Sequence, residues 1–136
     1  MIRLISTGCA MLLLAGCGAS SLQALQSHPQ ATYEFDAPMS YEATYALIAS
    51  PAINCFESDS WAASWYTEIE RRADPPHGDF ILSQKNWGQH YYALIHVVPR
   101  GDTGSHVTVS TDRGDLQHLG PAAERWANGK GRTDCE

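Results

Sequence analysis

Apolar positions along the chain fall into short segments whose period changes several times. Leu4 to Leu14 is a nearly continuous apolar run, and Gly18 to Gln30 is small, polar and patternless. Between Thr32 and Asp36, Tyr33 and Phe35 alternate with polar neighbours, which predicts a strand. The period then becomes helical: Tyr41, Thr44, Tyr45 and Ile48 share one stripe, with Leu47 beside it. Ser40 is placed to cap this helix by accepting from its orphan amides, and Pro51 is placed to stop it. Asn54 to Ser60 is expected to be a polar connection that carries Cys55.

Downstream the period is that of strands. Trp65, Thr67 and Ile69 alternate with Tyr66, Glu68 and Glu70. The turn signal Asp74-Pro75-Pro76-His77-Gly78 then leads to Phe80 and Leu82, so a hairpin is predicted. After Asn86-Trp87-Gly88, Gln89 to Val98 is a long run of β-formers. Pro99 to Gly104 turns it into Ser105 to Thr111, where Val107 and Val109 face one side and His106, Thr108 and Ser110 the other. The last helix is marked by Gly120-Pro121 at its start, by Leu119, Ala122, Ala123 and Trp126 on one face, and by Asn128-Gly129 at its end. The predicted fold is α+β: a two-layer sandwich with an antiparallel sheet of about four to five strands and two helices packed on its one apolar face.

The N-terminal run has its own meaning. Arg3, the apolar stretch and the small residues that follow have the three-part form of a secretory signal. The run is about half the ~20 residues that a spanning helix needs. Its end, Leu14-Ala15-Gly16-Cys17, resembles the lipobox of bacterial lipoproteins, whose cysteine is acylated and becomes the mature N-terminus. The resemblance implies a removed signal over residues 1–16, a lipidated flexible tether over 17–30, and one domain over 31–136. Thirteen residues of coil after Cys17 span about 20 Å root-mean-square. Gly18, rather than aspartate, follows the acylated cysteine, and the sorting rule brought in by the resemblance then implies the outer membrane, with the domain facing the periplasm or the cell surface. The helix-on-sheet arrangement is also similar to domains found in several envelope lipoproteins.

Removal of residues 1–16, which contain one cation and no acid, leaves 120 of the 136 residues and moves the net charge from −6 to −7. An acidic chain with scattered cations argues against nucleic acid and against an electrostatic grip on anionic lipid, so the membrane is contacted through the lipid. Cys9 leaves with the signal and Cys17 takes the lipid. Cys55 and Cys135 remain in an oxidising compartment, where a disulfide is favoured over two free thiols. A metal pair is disfavoured, since neither has a second ligand at short spacing.

Candidate chemistry is sparse. His90 and His96 share strand parity, and His106 falls on the same outer face. If Val97 pairs with Val107, His96 and His106 are diagonal neighbours about 7 Å apart at Cα. No ligand triplet has metal spacing, so this face is read as solvated and no metal or cofactor is expected. The chain has no Gly-x-Ser-x-Gly elbow, no Cys-His-Asn setting and no glycine-rich phosphate loop, and Glu68 and Glu70 are read as solvated carboxylates. No catalytic residue is assigned, and the chain is not read as an enzyme. Arg100-Gly101-Asp102 and Arg113-Gly114-Asp115 look like the integrin-recognition tripeptide, but both sit where turns need Gly and Asp.

The aromatics Trp61, Trp65, Tyr66, Trp87, Tyr91 and Tyr92 crowd the strand segments. Alternation sends Tyr66 and Tyr92 to the face opposite Trp65 and Tyr91. Tyr66, Tyr92, His96 and His106 are therefore the candidate residues for a small ligand or glycan on the outer sheet face. Against this stands the reading of a non-catalytic scaffold or interaction module with an envelope protein as partner.

Overall fold

The computed structural model describes residues 18–56, 59, 60, 63–85, 88–131 and 135. The elements in order are α1 (Leu22–Ser27), β1 (Ala31–Ala37), α2 (Tyr41–Phe56), β2 (Asp59–Ser60), β3 (Ala63–Ala73), β4 (Pro76–Gln84), β5 (His90–Arg100), β6 (Gly104–Thr111), a 3₁₀ turn (Gly114–Leu116) and α3 (Leu119–Ala127). The sheet is antiparallel throughout, with strand order β1-β6-β5-β4-β3-β2. The fold is thus α+β, five full strands with a two-residue addition at one edge and β1 at the other.

α2 and α3 pack on one face. Phe35, Phe80, Ile95, Val97, Val107 and Val109 of the sheet meet Ile48, Ala52, Phe56, Ala122, Ala123 and Trp126 of the helices. Ser40 accepts from the Ala43 amide at 3.3 Å and caps α2 as its sequence suggested. Buried Thr44 and Ser105 hydroxyls bond at 2.7 Å and join α2 to β6. The Tyr33 hydroxyl donates to Glu124 at 2.5 Å and joins β1 to α3. That bond to a carboxylate holds the Tyr33 phenol above its ordinary pKa. α3 ends at Asn128, and Gly129 takes the left-handed conformation (φ +71°) that halts a helix.

Three expectations are corrected here. Pro51 does not stop α2, which runs on to Phe56 and so places Cys55 on its last turn rather than in a connection. A proline inside a helix removes one backbone donor and crowds the preceding turn. Here Pro51, Ala52 and Phe56 extend the buried stripe of Tyr41, Thr44 and Ile48, so burial outweighs the lost bond. Gly78 is not a turn residue either: the turn is Asp74-Pro75, and Gly78 lies within β4. Its use is close approach, since a Cβ there would stand 2.2 Å from the Tyr45 ring, which stacks on Phe80 with centroids 4.7 Å apart. Gly78→Ala should therefore lower stability by about 1–3 kcal/mol, seen as a lower urea midpoint. An unchanged midpoint would mean that Tyr45 moves aside without loss.

The third correction concerns the segment expected to be coil. Residues 18–30 fold onto the sheet's other face. Ser21 caps α1 through the Ala24 amide (3.0 Å), and Leu25 is fully buried against Ile81 and Leu94, with Ala19, Leu22 and Tyr91 around it. The sheet is therefore not one-sided: its second face carries a satellite core under α1. β4 shows this directly, as Phe80, Ile81, Leu82 and Ser83 are all buried in succession.

Candidate functional site

Beyond α1, the outer face of the sheet is polar. Register places Glu70, Asp79, His96, Thr108 and Glu34 in one row across β3, β4, β5, β6 and β1. A second row carries Arg72 opposite His77, and Val98 opposite His106 opposite Asp36. The Val97–Val107 pair forms as expected, so His96 and His106 are diagonal neighbours on one face. The structure does not join them into one site, because each takes its own carboxylate. His96 Nδ1 lies 2.5 Å from Asp79 Oδ1, and His106 Nδ1 lies 2.8 Å from Asp36 Oδ1.

Asp79 is the unusual member. It is buried to 5 % exposure on the β4 strand, with His77 Nε2 at 3.9 Å from its other oxygen and the His77 and His96 rings 5.5 Å apart. A buried carboxylate needs partners, and these two imidazoles are the ones β4 and β5 bring to it. Donation from His96 Nδ1 to Asp79 leaves Nε2 as an acceptor in the neutral ring. Asp36 also holds an ion pair with Arg100, and Glu70 one with Arg72. This is a surface of paired charges able to meet a polar partner. Among the described residues no three His, Cys, Asp or Glu side chains are arranged to hold a metal ion.

The cavities lie elsewhere. One of about 170 Å³ opens beside the disulfide, between Phe56, Leu82, Leu116 and Leu119 with Arg113 and His118 at its polar side. Another of about 400 Å³ is a cleft at the start of α2, lined by Tyr41, Glu42, Arg71, Arg72, Ala73 and Pro76. In it Arg71 donates to the Tyr41 hydroxyl (3.1 Å), which donates in turn to the His77 carbonyl (3.0 Å). Burial raises the neighbouring Tyr45 phenol above its usual pKa. Neither cavity is lined by Asp79 or His96.

The remaining candidates separate. Tyr92 does not belong to the outer face: it is 6 % exposed in the main core, its hydroxyl donating to Gln84 at 3.1 Å. The cause is a bulge, where the β4–β5 register shifts between Leu82 and Ser83 and leaves Tyr92 without a direct opposite. Alternation therefore fails at that point, and Tyr91, not Tyr92, packs under α1. The same shift puts His90 and His96 on different faces. Tyr66 lies on β3 opposite Ser83, and its side chain, like those of Trp61, Trp65 and Trp87, is outside the described residues. Cys17 and the signal before it are outside them too.

Cys55 and Cys135 are joined, with sulfurs 2.08 Å apart and Cα atoms 5.4 Å apart. Both Arg-Gly-Asp triplets are engaged internally: Arg100 with Asp36, and Arg113 with Asp115 through two bonds of 2.9 and 2.6 Å. The Arg113 guanidinium holds the Asp115 carboxyl below its ordinary pKa. Sequence reasoning missed Asp79 as the partner of His96, because nothing in a single strand announces the register of its neighbour. Compared with known protein families, curated proteins and solved structures, the chain shows no match to any of them.

Proposed function

We propose that this chain is a bacterial envelope lipoprotein, held in the outer membrane by lipid on Cys17, whose domain is a non-catalytic interaction module. The observation that carries this reading is Leu14-Ala15-Gly16-Cys17 behind Arg3 and an apolar run of signal length. Among the described residues no helix is long and apolar enough to cross a membrane. The polar half of the outer face supports the interaction role, since it offers ordered histidines and carboxylates across five strands for an envelope protein to meet.

Replacing Cys17 is the direct test. In cells fed labelled palmitate, the wild-type protein should carry label and float with membranes, while Cys17→Ala should lose both. Persistent labelling of the variant would overturn the anchor. Turnover of a cell-wall or lipid substrate by the purified protein would overturn the non-catalytic role.

A further inference from the structure

We propose that the lipid on Cys17 clamps the folded domain directly onto the bilayer, with the end of the sheet that holds His90 and Gln84 against the headgroups. This rests on the lipoprotein reading and concerns the geometry that reading imposes. A coil tether of thirteen residues lets a domain tumble about 20 Å from its anchor. No such tether exists here, because the residues after Cys17 belong to the fold.

Three observations seat them. Gly18 is buried, and a Cβ at that position would stand 2.5 Å from the Tyr92 ring, so the backbone lies flat on a core tyrosine. Ala19 forms a bridge to β5 with both bonds made, its amide to the Tyr91 carbonyl at 3.0 Å and the Tyr91 amide to its own carbonyl at 2.9 Å. Leu25 then pins α1 to Ile81 and Leu94. Cys17 is two residues from Ala19, and two extended residues span at most about 7 Å. The acyl chains attached there are consequently anchored at one end of the sheet rather than somewhere near it.

That end is defined by the register. Ala31, Thr111, His90, Gln84 and Trp65 lie there, and the connection around Gly88 and Gln89 leaves from it. At the opposite end are the Asp74-Pro75 turn and the turn through Asp102. β5 runs His90–Arg100, and at ~3.3 Å per residue the two ends are about 33 Å apart. Asp102 therefore faces away from the membrane, and the pairs Asp79–His96 and Asp36–His106 are carried on the half of the outer face farther from it. Charge does not set this orientation, since a net −7 chain is not drawn to anionic lipid; the short covalent link does.

The test uses the full lipidated protein in vesicles of phosphatidylethanolamine and phosphatidylglycerol, some carrying a nitroxide on the headgroup. Gln89→Cys and Asp102→Cys, both at exposed positions, each take a fluorophore. The label at 89 should be quenched several-fold more than the label at 102. An insert of about ten Gly and Ser residues after Cys17, beginning with Gly, should bring the two close to equal. Equal quenching without the insert, or a difference that the insert leaves intact, would overturn the clamp while mass analysis of the acylated N-terminal peptide leaves the lipoprotein reading standing. An N-terminal peptide without acyl groups would overturn both.

Discussion

Converting Cys55 and Cys135 together to alanine should lower the free energy of unfolding by about 4.5 kcal/mol. The two cysteines are 80 residues apart in sequence, and cross-linking a loop of that length removes this much entropy from the unfolded chain. Small domains are stable by only about 5–15 kcal/mol, so the loss is a large part of the whole. Cys55 lies on the last turn of α2 and Cys135 in the chain beyond α3, so the bond ties the end of α2 to the C-terminal segment. Urea titration of wild type and double variant would measure the effect, and the slope of the transition should rise because the unfolded chain becomes larger. Reductant should destabilise the wild type by a similar amount and leave the double variant unmoved. A difference below about 1 kcal/mol would mean that the reduced chain is already confined by residual structure.

The second large effect is expected at Leu25. Its side chain is fully buried between α1 and the sheet, and Leu25→Ala removes it where only Ile81, Leu94 and a few partly buried neighbours can close the gap. Large-to-small changes at such sites cost about 2–5 kcal/mol. For a chain of this size that lowers Tm by on the order of 10 °C. A chain begun at residue 31, the domain boundary that composition alone suggests, should lose more. It sheds the Ala19–Tyr91 bridge and uncovers Leu94 and Ile81 together. Leu25→Ala within 0.5 kcal/mol of wild type would show that α1 contributes no packing. Leu25→Met serves as the volume-conserving control, expected within about 1.5 kcal/mol of wild type.

What could be read from the sequence follows the length scale of each signal. Strands β1 and β6 were legible because alternation over five or more residues is self-contained, β5 because it is a long run of β-formers, and the tight turn after Arg100 is consistent with the pairing of Val97 with Val107. Ser40 and Asn128-Gly129 were legible as local capping chemistry. Pro51 misled because its backbone cost is local, whereas the packing of Ala52 and Phe56 that offsets it is tertiary, although the spacing of those two residues did continue the stripe. α1 was hidden by brevity: in a six-residue helix only Leu22 and Leu25 mark a face. Tyr92 could not have been placed, since the bulge that turns it inward depends on the pairing of β4 with β5. The Asp79–His96 pair had the same obstacle, needing the register of two strands before either residue gains meaning.

The sheet's two borders have a bearing on how the protein withstands high local density, the condition that the proposed lipid anchor would impose by confining it to a surface. One border is β3, which the pair Asp59–Ser60 covers only at Ala63 and Ser64; the rest of its length carries Glu68, Glu70, Arg71 and Arg72, charged side chains of the kind that blunt an open edge. The other is β1, long enough to recruit a second copy, but Glu34 and Asp36 are exposed along it. Antiparallel pairing of two such strands about their middle would set Glu34 against Glu34, and like charges placed directly opposite are repelled. Charge along both borders thus works against neighbouring molecules zipping into a common sheet.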